Sequence, residues 1–103
     1  MIRSAYENLA DSDEPPYPVK GMQAFLKQTT KVQQALLQHG AFRAAALVDA
    51  KGAVQSIDVI ETPSAEMSQL MAMVLFETQF KPGLCAGQPC QMEFPVMIKF
   101  AVR

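Results

Sequence analysis

Residues 90–103 read C-Q-M-E-F-P-V-M-I-K-F-A-V-R. Met92, Phe94, Val96, Ile98, Phe100 and Val102 occupy every second position, with Glu93, Pro95, Met97, Lys99 and Ala101 between them. Side chains of a strand point alternately to opposite faces, so this pattern predicts a long β-strand with one apolar face. Pro95 has no N–H to give to a ladder, which predicts that the strand lies at a sheet edge. A long edge exposes backbone donors and acceptors to a partner. The pattern therefore points to strand pairing as the route to function.

Working back from this strand, residues 65–78 predict an amphipathic helix. Met67, Leu70, Met71 and Val74 follow i, i+3, i+4, i+7 spacing, and Leu75 and Phe76 widen the stripe. Met67, Met71, Met73 and Met92 are read as core filling in preference to an adaptable binding surface. Thr62 or Ser64 supplies the N-cap, and Phe80-Lys81-Pro82-Gly83 ends the helix. Before it, residues 42–48 and 54–60 predict two strands joined by Asp49-Ala50-Lys51-Gly52, with Gly52 suited to positive φ. Ile57 and Val59 share a face of the second strand, while Ala44, Ala45 and Ala46 leave the first poorly patterned. Residues 21–38 predict a further helix with Met22, Phe25, Leu26, Val32 and Leu36 as its stripe. Thr29 and Thr30 weaken its middle, and Gly40 is placed to cap its C-terminus. His39, the single histidine, is assigned to the carbonyl end of that helix rather than to metal or proton transfer.

Residues 1–18 are expected to form an N-terminal arm, with a short helical turn near Tyr6 to Leu9 and an extended strip at Pro15-Pro16-Tyr17-Pro18. Residues 19–103 form the domain. The order arm, α, β, β, α, β implies an α+β fold, with an antiparallel sheet in one layer and helices covering one face.

The chain has 103 residues, half of them hydrophobic, and a formal net charge of -1. That balance offers no electrostatic case for nucleic acid or an anionic membrane. No apolar run approaches the roughly 20 residues that span a bilayer, and no signal peptide is recognisable. Taken alone, these features predict a soluble protein made in the cytosol. No cofactor or metal is expected: one His and two Cys do not make a zinc site. Cys85 and Cys90, in C-A-G-Q-P-C, do not have the C-x-x-C spacing of redox or zinc motifs. They are either a local disulfide or two free thiols, depending on compartment. Glu61, Glu66, Glu77 and Glu93 lie on separate elements, and no nucleophile motif or phosphate loop is present, so the chain is not expected to be an enzyme.

Taken in order, several short pieces resemble the C-terminal domain of the TonB family. These are L-V-D-A-K-G-A-V-Q-S-I-D-V-I-E, an amphipathic helix, F-K-P-G-x-x-A-G-Q-P, and a last strand ending I-K-F. The positions carrying the resemblance are Asp49 and Gly52, Phe80 and Pro82, Gly87 and Pro89, and Ile98 and Phe100, within residues 42–103. Upstream, Glu14-Pro15-Pro16-Tyr17-Pro18 is similar to the family's Q-P-x-Y-P strip. The resemblance implies a three-stranded antiparallel sheet with helices on one face, here with an extra N-terminal helix. It also implies a periplasmic domain of an inner-membrane-anchored protein, with the anchor outside this chain. Family members work with an ExbB/ExbD-type complex and bind a receptor's TonB-box segment as an added strand, coupling inner-membrane energy to outer-membrane transport. On that basis Pro16, Tyr17, Pro18, Glu93, Pro95, Met97 and Lys99 are the candidate partner-binding residues. The alternative is an envelope adaptor of the same fold whose last strand pairs with a second copy.

Overall fold

A computed structural model describes residues 13–101, so the turn expected near Tyr6 to Leu9, and Val102, lie outside the described residues. The elements in chain order are Tyr17–Pro18 (β1), Met22–Leu36 (α1), Gly40–Val48 (β2), Val54–Glu61 (β3), Ala65–Glu77 (α2), Phe80–Lys81 (β4), Gly83–Cys85 (β5), Gln88–Cys90 (β6) and Met92–Phe100 (β7). The main sheet is antiparallel, in the order β3-β2-β7. Two ribbons accompany it, β1 with β4 and β5 with β6. Among the described residues the fold is thus α+β, with two helices and an antiparallel sheet. Among the described residues no helix is long and apolar enough to cross a membrane.

The alternation in β7 holds residue by residue. Met92, Phe94, Val96 and Phe100 are buried, whereas Met97 and Lys99 are exposed. The strand begins at Met92, not Cys90, because Gln88–Cys90 turns back to pair with β5. Central strand β2 buries Phe42, Ala44, Ala46 and Val48 on the same side as the helices. Of the small alanines that blur the sequence pattern, Ala44 and Ala46 sit under the helix layer, and Ala45 lies on the opposite face between two neighbouring strands.

Helix α1 covers this face through Phe25, Thr29 and Val32, with Met22 and Leu36 packed beside them. Phe25 meets Phe94 edge-on at 6.0 Å. Leu26, expected in the stripe, is 45% exposed; Thr29 holds the buried position instead. That polar side chain is tolerated because its hydroxyl donates to the Leu26 carbonyl at 2.8 Å, and Thr30 donates to the same oxygen. The helix ends at Leu37, whose left-handed backbone lets its N–H reach the Gln33 carbonyl. Gly40, expected as that cap, already belongs to β2.

Helix α2 buries Met67, Met71 and Leu75. Met92 is buried too, so three of the four methionines fill the core, while Met73 and Phe76 face solvent. Burial of side chains this large contributes about 1.5–3 kcal/mol each. Ser64 is the N-cap, accepting the Met67 N–H and donating to Gln38 Oε1.

The β2–β3 turn is built on Asp49. Its carboxylate accepts the Lys51 and Ala53 N–H groups and the Gln55 side-chain amide. The Ala53 N–H foremost, then Lys51 and Gln55, hold this carboxyl below its ordinary value, against a partial loss of solvation.

Candidate functional site

The two edges of the main sheet are built differently. Strand β3 slips register against β2 twice, between Arg43 and Ala44 and between Leu47 and Val48. The unmatched residues are Ile60 and Gln55, and such bulges twist a strand and spoil it as a template. Strand β7 pairs with β2 in unbroken register over nine residues, from Gly40↔Phe100 to Val48↔Met92. It is the regular edge, about 30 Å long at ~3.4 Å per residue.

Pro95 sets the orientation of that edge. A proline is seated without loss of a ladder bond where its nitrogen faces away from the neighbouring strand. Backbone groups alternate sides along an antiparallel strand. Glu93, Met97 and Lys99 therefore share Pro95's orientation and direct their N–H and C=O groups outward. The same four residues lie on the sheet face opposite the helices, beside Leu47, Ala45, Arg43 and Ala41 of β2. Met97 is 68% exposed. The face carries Ala45, Leu47, Pro95 and Met97, bordered by Arg43, Glu93 and Lys99, with Ser56, Asp58 and Glu61 of β3 beyond.

The proline strip is seated elsewhere. Tyr17 pairs with Lys81 and Pro18 with Phe80. Pro16 and Pro18 are buried, so of these three residues only Tyr17 is presented to solvent. It lines a shallow hollow of about 350 Å³ with Glu14, Pro15, Lys81, Pro82 and Leu84. A second hollow, about 480 Å³, opens between the start of α1 and the end of α2 over Phe25 and Val74.

Cys85 and Cys90 form a disulfide across the β5–β6 hairpin, with Cα atoms 5.8 Å apart. The hairpin turns through Ala86 and Gly87, both at positive φ as a type I′ turn requires. Its link to residues 13 and 14 is the contact that sequence alone did not reveal. Glu14 and Leu84 exchange two backbone hydrogen bonds, each 2.9 Å, and the Asp13 carboxylate accepts the Ala86 N–H. Three Pro residues within four positions suggested an extended strip but not its partner.

Among the described residues, no group of three or more His, Cys, Asp or Glu side chains could hold a metal ion. No protein-family model and no curated protein matches the chain.

Proposed function

We propose that this domain is a docking module that captures an extended peptide as a fourth strand on β7. The observation that carries this is the contrast of edges: β7 is regular and, among the described residues, pairs on its outer side with no strand, whereas β3 is bulged twice. An added strand gains backbone hydrogen bonds from the outward groups of Glu93, Met97 and Lys99 and from the Pro95 carbonyl. Its alternate side chains meet the Met97–Pro95–Ala45 surface, with Glu93 and Lys99 selecting charge at the ends. Combined with the sequence resemblance, this supports a TonB-type role. The domain would then be periplasmic, belong to a protein anchored in the inner membrane, and answer to an ExbB/ExbD-type complex while gripping an outer-membrane receptor segment. Tyr17 and the hollow beside it form a separate surface on the β1–β4 ribbon.

A second proposal is favoured by one feature of β7. An antiparallel pairing of this strand with its own copy about Val96 sets Glu93 opposite Lys99 twice and Pro95 opposite Met97. The reciprocal charges suit an adaptor that dimerises. An NMR titration with TonB-box peptides, run beside a concentration series of molecular mass, separates the two. Shifts confined to residues 92–100 on a monomer support peptide capture. A stable dimer with no peptide shifts supports the adaptor. Shifts that avoid β7 on a monomer refute both.

A further inference from the structure

We infer that one flank of helix α1 forms a second wall beside the β7 edge, with Leu26 as its specificity residue. The wall selects an extended peptide that carries apolar side chains along one row and opposite charges at the two ends of the other. This rests on the reading of β7 as a strand-capturing edge and adds what that edge selects.

Two contacts fix α1 over β7. The ring of Phe25 lies 6.0 Å from that of Phe94. Further along the helix, the Gln33 side-chain amide donates to the carbonyl of Ala101, just past the end of β7. Helix and strand therefore run in the same direction. One flank of α1 looks toward α2, because Ala24 and Gln28 share a hollow with Val74 and Glu77. At about 100° per residue, Leu26, Thr30 and Gln33 occupy the opposite flank, the one from which Gln33 reaches the end of β7. Leu26 follows Phe25 directly, so it stands near the level of Phe94 and Val96. It is 45% exposed, and Ile98 of β7 is half-buried on the same side of the sheet. Both leave apolar surface along the open edge.

A strand added to β7 sends alternate side chains to the two sides of the sheet. Residues opposite Glu93, Pro95, Met97 and Lys99 point to the face without helices. Residues opposite Phe94, Val96 and Ile98 point to the α1 side, where Leu26 stands. The pairings of the main sheet are antiparallel, the more stable mode per residue. An antiparallel occupant meets Lys99 first and Glu93 last. Its seven residues therefore read acidic, apolar, any, apolar, any, apolar, basic, with each end set against the opposite charge.

The test uses three end-capped peptides: Asp-Val-Ser-Val-Ser-Val-Lys, the row-exchanged Asp-Ser-Val-Ser-Val-Ser-Lys, and the charge-exchanged Lys-Val-Ser-Val-Ser-Val-Asp. Each is titrated by NMR into the native protein and into Leu26→Gln, which keeps a good helix former on an exposed position. The first peptide should bind tightest, shifting residues 92–100 and the amides of Leu26 and Thr30. Leu26→Gln should weaken it about tenfold, through the leucine surface that docking covers. The row-exchanged peptide should change less than about twofold. In the native protein, nuclear Overhauser contacts should join valine methyls of the first peptide to those of Leu26, a readout that needs no variant. If the first peptide binds on β7 without those contacts, or Leu26→Gln weakens both rows equally or neither, the inference is overturned while strand capture stands. Tighter binding of the charge-exchanged peptide overturns the assigned order of charges. If no peptide shifts residues 92–100, strand capture itself fails and the inference falls with it.

Discussion

Gly52 is the residue whose replacement tests the packing most directly. Its φ is +88°, and a Cβ added there would stand 2.0 Å from the Phe80 carbonyl oxygen. That oxygen is backbone and would have to retreat by about 1.4 Å, from 2.0 to the 3.4 Å where ordinary contact begins. Gly52 also accepts the Phe80 N–H through its own carbonyl at 3.0 Å, so the turn and β4 are stitched at the point of collision. Phe80 cannot yield freely: it is 1% exposed and its ring lies 4.8 Å from that of Phe94. For Gly52→Ala, the left-handed backbone costs about 1 kcal/mol and the lost hydrogen bond about 1 kcal/mol. Partial displacement of a buried aromatic adds about 1–2 kcal/mol, a fraction of full truncation. The expected loss is about 3–4 kcal/mol. Gly87→Ala is the control: φ is +81° but nothing lies within 4 Å of the new methyl, so only the backbone cost of about 1 kcal/mol applies. Urea unfolding followed by circular dichroism measures both, and the Tm gap between the variants should be roughly 10–20 °C. If the two variants lose the same stability within about 0.5 kcal/mol, the collision with Phe80 is not what Gly52 avoids.

Met97→Pro removes an outward N–H from β7, so peptide affinity should fall roughly tenfold or more while the fold persists; unchanged affinity in isothermal titration would count against strand addition there. Ala86→Asn places a residue that tolerates positive φ in the hairpin turn and should raise stability by about 0.5–1 kcal/mol in thermal melts. Ser64→Ala deletes the cap of α2 and should cost about 1 kcal/mol in urea unfolding. Asp49 has a folded-state value below its unfolded one, so its contribution is present above the unfolded value near ~3.9 and fades as pH falls through the depressed one. Asp49→Asn should therefore be less stable than the native chain at neutral pH, and the gap should close in strong acid; a constant gap from pH 7 to pH 2 would exclude this linkage.

The parts of the fold legible in sequence were those with a local period. The alternation of β7, the heptad-like run of α2 and the Asp49–Gly52 turn each depend on neighbours within a few positions, and each is present in the structure. Leu26 and Phe76 are apolar and lie near the stripe, yet both are exposed, outside the buried row of their helices. Thr29 was passed over because a hydroxyl that bonds its own helix becomes acceptable in a core. The small ribbons were invisible for a different reason. The pairings Tyr17↔Lys81 and Glu14↔Leu84 join residues more than sixty positions apart, and two-residue strands carry no period to read. For the candidate site, Pro95 disclosed the edge, but the bulges that disqualify the opposite edge arise from pairing geometry that no single strand encodes.

Those bulges have a consequence for valency. A sheet with one usable side accepts one strand and no more from its own surface. If the occupant is a second copy, the two regular edges annihilate each other, and the resulting six-stranded sheet ends in a bulged β3 at both extremities. The assembly closes at two subunits and offers no regular edge for a filament to grow from.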